Sequence, residues 1–487
     1  MKKIIYLISY LFLFAFYGCD DWLTIEPEND LIKEEYWKSK DDVQAMLASS
    51  YGSLRNTYDE MIYWSELRGG NVTVGNSPAS NQINMFNYNI FAENTLVKWG
   101  DFYKVINYAN TLIKFAPQVV DIDPTFTQND FKRAESEAVF LRSLCYFTLI
   151  KAFRDVPLIM EPYVDDDKDV NVPKSSEREI IDQLIVDLEE AKKYAPATYP
   201  NDDYAEEHNK GRATVYSIEA LLADIYLWDN QYDKCITECD NIINSFKFGL
   251  VTSDEYFTLY SPGNTFESIF ELQSDKNLGQ TNNLFYVSGN VSGTSQDIQV
   301  SDNLVDLFST TDKRGTGVSF DRTSYSIWKY VGYEPDNPEN RRQSSSQSDA
   351  NWIYYRLADM YLMKAEAFFE KGETGSAIDM LKIVRGRAGI PEEEIIEPSE
   401  LMDVILKERS KEFIGEGKRW FDLVRFARRD IENRKYLIVD AVLINVSPQY
   451  FVSVKAKIND PDSWFLPIYY KELEVNNLLE QNPFYEK

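Results

Sequence analysis

The 487-residue chain contains a single histidine, His208, and only four cysteines. Zinc sites usually need several histidine or cysteine ligands close together, so this composition gives little support for a zinc centre. Cys235 and Cys239 lie four residues apart on a predicted helical face, but with Cys145 they are expected to be small buried side chains. No nucleophile motif or glycine-rich phosphate loop is found. The sequence therefore predicts no metal, no cofactor and no catalytic residue.

Positive charge is also in short supply, with 51 lysine and arginine residues against 79 acidic residues and a net charge of −28 at pH 7. An acidic surface repels phosphate backbones and anionic headgroups, which argues against a nucleic acid ligand. Most of this excess is expected to be a solvated surface. The acidic run 165–169 lacks the glycine and terminal glutamate of an EF-hand loop, so calcium is not predicted.

No apolar run is long enough to suggest a transmembrane helix. The longest, Ile4 to Tyr17, has 14 residues and follows two lysines, which is the layout of a secretion signal. Gly18 directly before Cys19 resembles a bacterial lipoprotein cleavage box. We therefore predict a signal peptide over 1–18, lipid attachment at Cys19 and an acidic tether over 19–40. An ordinary signal peptide with an incidental cysteine is the alternative.

Apolar residues with helical spacing are abundant in the rest of the chain. The run from Lys132 to Leu158 has small or apolar residues every three or four positions, which predicts a long buried helix that ends before Pro157. Helix pairs of about 34 residues with alanine and tyrosine at their crossings are typical of tetratricopeptide-type repeats. The sequence predicts a mainly α fold with about four such pairs, over 132–195, 213–246, 352–388 and 400–429. The repeat helices would occupy 97–246 and 352–430 of a single body over 41–487.

Two loop-rich segments, 61–96 and 247–350, interrupt the predicted repeats. Both combine glycine, proline and asparagine turns with many aromatic residues, and a long insertion of this kind is usually functional or disordered. Because the aromatic content argues against disorder, these segments are the predicted ligand-binding insertions. In the C-terminal segment 431–487, alternating apolar residues predict a minor strand over 451–458.

Four motifs resemble the SusD/RagB family of surface lipoproteins. The first is the helix from Ala134 to Leu158, where Arg154 stands in place of the usual glycine. The second runs from Arg356 to Gly389, and the third from Lys407 to Arg425 with the sequence Arg419-Trp420-Phe421-Asp422-Leu423. The C-terminal Leu466-Pro467-Ile468 and Gln481-Asn482-Pro483 are similar to the family's last motif, although Tyr469 replaces a proline and Phe484 a glycine.

The resemblance implies a function as well as a fold. Members of this family bind glycans on aromatic residues in loops beside the repeat scaffold and act with a SusC-like TonB-dependent outer-membrane barrel. It therefore implies a lid-like protein, anchored to the outer membrane through its lipid and facing the exterior, that captures glycan and performs no chemistry.

A sugar ring has an apolar C–H face and a rim of hydroxyls, so a receptor needs flat aromatic surfaces beside polar donors and acceptors. The two insertions supply both kinds of side chain. The alternative for each aromatic residue is packing in the core. The predicted ligand-binding residues are Tyr63, Trp64, Arg68, Asn71, Phe86, Tyr88, Tyr286, Tyr325 and Trp328.

Paired carboxylates also invite an enzymatic interpretation. Glu408 and Glu412 lie four residues apart on one predicted helix, and glycosidases use two carboxylates. Like charges at this spacing repel, however, and nearby arginines can neutralise them. We therefore predict a structural network formed by Arg385, Arg387, Glu408, Arg409, Glu412, Arg419 and Arg425.

Three other functions stay open at the level of sequence. Aromatic clefts also suit peptides, and some members of the resembling family capture them. A lipidated glycoside hydrolase would need a desolvated acid opposite a second carboxylate in an open cleft. A purely structural repeat adaptor would need no concave aromatic cluster at all.

Overall fold

A computed structural model of the protein describes residues 36–164, 171–200, 205–282, 284–289, 296–335, 337, 339–391 and 396–486. The predicted signal peptide, Cys19 and most of the tether lie outside these residues, and so does the acidic run 165–169. No helix in the described part of the chain is both long and apolar enough to cross a membrane.

Helices dominate the described chain. In the first half they are α1 Lys40–Leu54, α2 Tyr58–Ser65, α3 Ser80–Phe86, α4 Gly100–Phe115, α5 Pro117–Ile122, α6 Gln128–Phe153, α7 Glu177–Ala191, α8 Ala205–Gly211, α9 Val215–Trp228 and α10 Tyr232–Ile243. In the second half they are α11 Leu284–Ser288, α12 Asp302–Val305, α13 Trp328–Val331, α14 Leu357–Glu370, α15 Thr374–Arg387, α16 Leu401–Glu412, α17 Arg419–Arg429, α18 Ile431–Arg434, α19 Tyr436–Leu443, α20 Phe451–Ile458 and α21 Tyr470–Val475.

Within the residues that the structure describes, two small antiparallel sheets accompany the helices. Strands β1 (Val72–Val74) and β3 (Ile298–Val300) pair with Val72 opposite Val300. Strands β2 (Ser268–Leu272) and β4 (Trp352–Arg356) pair with Leu272 opposite Trp352. Each sheet therefore joins distant segments, and β1 with β3 ties the two loop-rich insertions together.

The helices stack as hairpins around one large hydrophobic core. Three predicted pairs, α6 with α7, α9 with α10, and α14 with α15, pack along their lengths, which confirms a mainly α repeat fold with minor β. The fourth pair differs from the prediction. Helix α16 contacts α14, α15 and α17 to similar, limited extents and does not pair along its length with α17, whereas α1 and α4 form an additional layer against α6.

Helix α6 is the centre of the scaffold. A capping box of Thr127 and Asp130 starts it, and most of its side chains are buried, as the apolar spacing predicts. The helix ends at Arg154, whose φ of 69° is the left-handed conformation that glycine adopts most easily. The Arg154 guanidinium donates to Asp462 at 2.6 Å and to Asp155 at 3.2 Å. These two ion pairs hold a residue with a side chain at the position where the related motif has glycine.

The strand predicted over 451–458 is wrong, because this segment is helix α20. Val454 and Ile458 are four residues apart and both buried, whereas Val452 is 79% exposed. Positions 454 and 458 lie on one face of either a strand or a helix, so the apolar pattern fits both kinds of structure. The segment is helical because one helical face, with Val454 and Ile458, packs against the rest of the protein. The three described cysteines, Cys145, Cys235 and Cys239, are free and buried as expected.

Candidate functional site

Six of the nine predicted ligand-binding residues lie in the hydrophobic core. The exposed fraction of each side chain is 5% or less. A ligand in solution cannot reach a ring that is covered on all sides, so the prediction of a binding surface is wrong for these six. They are Tyr63, Trp64, Arg68, Asn71, Tyr88 and Trp328.

The buried tryptophans have packing roles that explain their location. Trp64 stacks on Phe102 at 5.1 Å between ring centroids, and its indole N–H donates to the Leu96 carbonyl at 2.6 Å. Trp328 donates to the Glu334 carbonyl at 2.8 Å. Large aromatic rings whose polar atoms find partners contribute most when they are fully buried. Both residues therefore stabilise the insertions rather than present a surface.

The predicted polar partners are also structural. The guanidinium of Arg68 lies 4.3 Å from the centroid of the Trp420 ring and donates to the Trp464 carbonyl at 3.1 Å. Tyr88 donates to the Arg68 carbonyl at 3.1 Å, and the Asn71 carbonyl accepts from the Ser301 N–H. This cluster fastens the first insertion to the C-terminal segment.

Three predicted residues remain at or near the surface. Tyr286, on α11, is 39% exposed. Tyr325 is half-buried on the turn that precedes α13, and Phe86 is half-buried at the end of α3. The two tyrosines come from different parts of the second insertion, so the distance between them in the structure depends on how that insertion folds.

Gln296 joins the segments that carry these tyrosines. Its buried side chain donates to the Ser288 carbonyl at 3.2 Å, at the end of α11, and to the Ser324 carbonyl at 3.3 Å, beside Tyr325. The exposed Asn76, in the loop after β1, donates to Gln296 Oε1 at 3.5 Å. The Gln296 side chain therefore contacts three segments of the insertions. We use the name Gln296 face for four residues on or next to these segments that are not fully buried: Asn76, Tyr286, Asp297 and Tyr325.

The loop after β1 lies directly against this segment. The Gly75 N–H donates to the Asp297 carbonyl at 2.8 Å. A Cβ at Gly75 would lie 2.1 Å from the Gln296 carbonyl oxygen, closer than any side chain tolerates. Glycine is therefore needed at position 75 for the loop to reach the Gln296 face.

Asp297 supplies a carboxylate to the face. It is half-buried, accepts from the Tyr63 hydroxyl at 2.6 Å and from Gln82 at 3.4 Å. Burial raises the pKa of Asp297, and the hydrogen bond from Tyr63 partly opposes that rise. Tyr63 thus positions this carboxylate from within the core, and a carboxylate keeps acceptor capacity for a further donor.

Tyr325 is held in an uncommon backbone conformation. Its φ is 56°, in the left-handed region that bulky residues rarely adopt. Its carbonyl accepts from the Val300 N–H at 2.9 Å, and its hydroxyl donates to Asp302 at 2.9 Å. The hydrogen bond to Asp302, with the charge of that carboxylate, raises the pKa of Tyr325. These contacts fix the ring at the surface despite the backbone strain.

The predicted Arg/Glu network is buried and largely present. Arg387 pairs with Glu412 and with Glu267, and Arg385 approaches Glu408 at 3.6 Å. Arg409 pairs with Asp359 and Asp422, and Arg425 pairs with Glu366 and Asp422. Arg419 is the exception, because it donates to the Gly69 and Leu406 carbonyls instead of joining a carboxylate.

Two arginines at the centre of the network were not predicted. Arg314 donates to Glu408 at 2.6 Å and to Glu412 at 2.7 Å, and Arg356 also pairs with Glu412. Burial alone would raise the pKa of Glu412, but Arg387, Arg356 and Arg314 hold it well below its usual value. A fully buried, arginine-bound carboxylate cannot act as the proton donor of a glycosidase. The pair Glu408 and Glu412 therefore gives no support to the hydrolase alternative.

Family comparisons place the chain. The model described as "Starch-binding associating with outer membrane" matches residues 21–227, and the model described as "SusD family" matches residues 317–485.

The chain belongs to the SusD/RagB family.

Relatives in this family match nearly the whole chain. SusD-like protein P38 of Formosa agariphila is 26% identical over 96% of this chain and 95% of its own length. A SusD superfamily protein from Bacteroides fragilis has the same fold, with a TM-score of 0.75 and 22% identity over 93% of this chain and all of that one. A structure described as a laminarin-binding SusD-like protein has a TM-score of 0.69 and 23% identity over 92% of this chain and all of that one.

Sequence reasoning missed the residues that organise the Gln296 face. Gln296, Asp297 and Asn76 are single polar residues without a motif or a period. Only the three-dimensional path of the insertion brings them together, so nothing in the sequence of this SusD/RagB chain marks them. The sequence prediction selected aromatic residues in loop-rich segments. That criterion selected the exposed tyrosines and the buried aromatic residues alike.

Proposed function

We propose that this SusD/RagB chain is a cell-surface lipoprotein that binds glycans on the Gln296 face and performs no chemistry. The observation that carries the proposal is that the Gln296 side chain joins the two segments that carry the surface tyrosines Tyr286 and Tyr325. The polar groups of Asn76 and Asp297 border the same segments.

This arrangement suits the chemistry of a sugar. The C–H face of a pyranose packs on a flat phenol ring, and its hydroxyls need both donors and acceptors nearby. Tyr286 offers an exposed ring, the Asn76 amide donates and accepts, and the Asp297 carboxylate accepts. A carboxylate accepts hydrogen bonds from the hydroxyls of a neutral sugar, whereas its charge repels an anion.

Family membership supports the ligand class. One matching family model carries the words "Starch-binding", and a protein of the same fold is described as laminarin-binding. Because that protein is only 23% identical, it supports the fold and not the identity of the sugar.

Location and partner belong to the same proposal. Cys19 would carry the lipid, residues 19–40 would tether the body to the outer membrane facing the exterior, and a SusC-like TonB-dependent barrel would receive the glycan from this lid. The lipoprotein-like Gly18-Cys19 sequence and the family description "associating with outer membrane" support this part. Replacement of Cys19 by Ala should release the protein from the membrane fraction, and retention would contradict lipid attachment there.

A glycan array probed with the purified protein tests the ligand class, with a peptide library as the parallel arm. For a glycan that binds, the Tyr286→Ala and Tyr325→Ala variants are compared by calorimetry. Loss of one stacking ring should weaken binding by roughly tenfold, about 1.4 kcal/mol.

Tyr194 provides a matched control, because it is also 39% exposed but lies just beyond α7, in the repeat scaffold. Tyr194→Ala should leave affinity unchanged. Equal affinities for all three variants and the wild type would reject the Gln296 face as the site. Binding to peptides alone would reject the glycan as the ligand.

A further inference from the structure

Helices α4 and α21 line a cavity of the molecule. Between the first turns of α4, the segment after α6 and helix α21 is a cavity of about 230 Å³. Its volume corresponds to roughly eight water molecules, enough for a compact organic group. The walls are mostly apolar, and the exposed side chain of Val475 lies at the edge. This cavity is separate from the residues of the Gln296 face.

Two half-buried aromatic side chains, Tyr103 and Tyr163, line this cavity. Trp99 borders it too, but its side chain is only 3% exposed, and its ring packs against Tyr103 at 66° with the centroids 5.6 Å apart. Proteins surround a quaternary ammonium group with aromatic rings, because each ring presents its negative face to the cation.

A single carboxylate completes the lining. Glu472, on α21, is half-buried and makes no ion pair among the described residues. Burial raises the pKa of Glu472, and a hydrogen bond from Trp99 partly opposes the rise. A carboxylate that has lost part of its hydration without gaining a cation is stabilised when a cation enters.

The other polar groups of the cavity already have partners. The Asn107 side chain both donates to and accepts from the backbone of Tyr163, at 3.0 Å and 2.7 Å. The Tyr103 hydroxyl donates to the Pro157 carbonyl at 2.8 Å, and the Asn476 amide donates to the Val172 carbonyl at 2.7 Å. A sugar would therefore find few free donors or acceptors for its hydroxyls, which argues against a second glycan site.

We propose that this cavity binds a small quaternary or N-methylated ammonium cation, with Tyr103 and Tyr163 beside the methyl groups and Glu472 compensating the charge. The ligand is either a free solute or the headgroup of a choline phospholipid. The inference goes beyond glycan capture and does not depend on it.

Choline is the first probe, titrated calorimetrically into the purified protein beside 3,3-dimethylbutan-1-ol, its neutral isostere. The cation should bind at least about tenfold more tightly than the isostere, because the cage and the carboxylate both select for charge. Equal binding of the two, or no binding of choline at millimolar concentration, would overturn the proposal. Sedimentation with phosphatidylcholine vesicles, compared with phosphatidylglycerol vesicles, then separates the headgroup from the free solute as the source.

Two pairs of variants identify the residues. Glu472→Gln should weaken choline binding about tenfold, whereas Glu474→Gln, an exposed carboxylate on the same helix, should not. Tyr103→Leu removes a wall of the cage and should weaken binding, whereas Tyr103→Phe keeps the ring and should bind within about twofold of wild type. Thermal unfolding checks that each variant is folded. Wild-type affinity in Glu472→Gln, or an equal loss in Glu474→Gln, would contradict the assignment.

Discussion

The guanidinium of Arg425 makes a two-point ion pair with the carboxylate of Glu366, with Nε to Oε1 and Nη2 to Oε2 both at 2.7 Å. Neither side chain is more than 3% exposed. The pair joins α17 to α14, and Arg429 of α17 also pairs with Glu366. The two parallel hydrogen bonds offset the free-energy cost of removing both charges from water. The pair therefore fixes the position of α17 relative to α14.

Replacement of Glu366 by Gln should destabilise the protein by roughly 3–5 kcal/mol, because Arg425 and Arg429 would each lose one of their two carboxylate partners in the interior. Urea unfolding followed by circular dichroism measures the change. The matched control is Glu190→Gln, which removes the same charge from an exposed pair with Lys193 and should leave the midpoint unchanged. Similar effects of the two substitutions would contradict a structural role for the buried pair.

Stability should pass through a maximum in mildly acidic solution. Burial alone would raise the pKa of Asp359 and Glu366, but Lys418 with Arg409 and Arg425 with Arg429 lower each to about 2. These carboxylates bind fewer protons in the folded than in the unfolded state, so their contribution to the free energy of unfolding is lost as pH falls from about 4.5 to 2. Burial raises the pKa of Glu66 and Glu219 to about 7. These groups hold more protons when folded, so stability should increase as pH falls from about 7 to 4.5.

Urea midpoints measured across this range test the maximum. Glu66→Gln should flatten the limb between about pH 7 and 5, because its amide oxygen still accepts from the Gly417 and Lys418 N–H groups without titrating. An unchanged limb in this variant would exclude Glu66 as a contributor.

The sequence predicted the helical scaffold better than the candidate site, because the scaffold has a local sequence pattern and the site does not. A buried helix such as α6 repeats its apolar positions every three or four residues, and the Ser176–Glu179 capping box marks the start of α7, so both can be recognised locally. The Gln296 face depends on contacts between segments more than 200 residues apart, such as Asn76 with Gln296. No local pattern encodes that pairing.

Burial of the aromatic residues shows the same limit. Trp64 and Tyr286 both occur in glycine- and asparagine-rich stretches, yet one is fully buried and the other is 39% exposed. Composition cannot distinguish a ring that holds a loop onto the core from one that the loop presents. Arg314 could not be assigned to the network for a similar reason, since nearly a hundred residues separate it from Glu408.

Two single substitutions distinguish a buried aromatic residue from a surface one by their effects on stability. Trp64→Ala should cost roughly 3–5 kcal/mol of unfolding free energy, because it leaves a cavity between Phe102 and Phe153. Tyr286→Ala should change stability by no more than about 0.5 kcal/mol. Denaturant unfolding of both variants beside the wild type makes the comparison. A stable Trp64→Ala protein would contradict its assignment to the core.

Glycine at 417 and glycine at 386 should respond in opposite ways to replacement by alanine. Gly417, between α16 and α17, has a φ of 75°, and a Cβ there would lie 2.7 Å from the Trp352 ring. Alanine at 417 should therefore cost more than about 1 kcal/mol, since left-handed geometry and a rigid neighbour both oppose it. Gly386 lies inside α15 with no atom within 4 Å of its virtual Cβ, so alanine should stabilise the helix by about 0.5–1 kcal/mol. Thermal unfolding of the two variants gives the signs directly, and a gain in stability for Gly417→Ala would show that the turn before α17 does not require its present conformation.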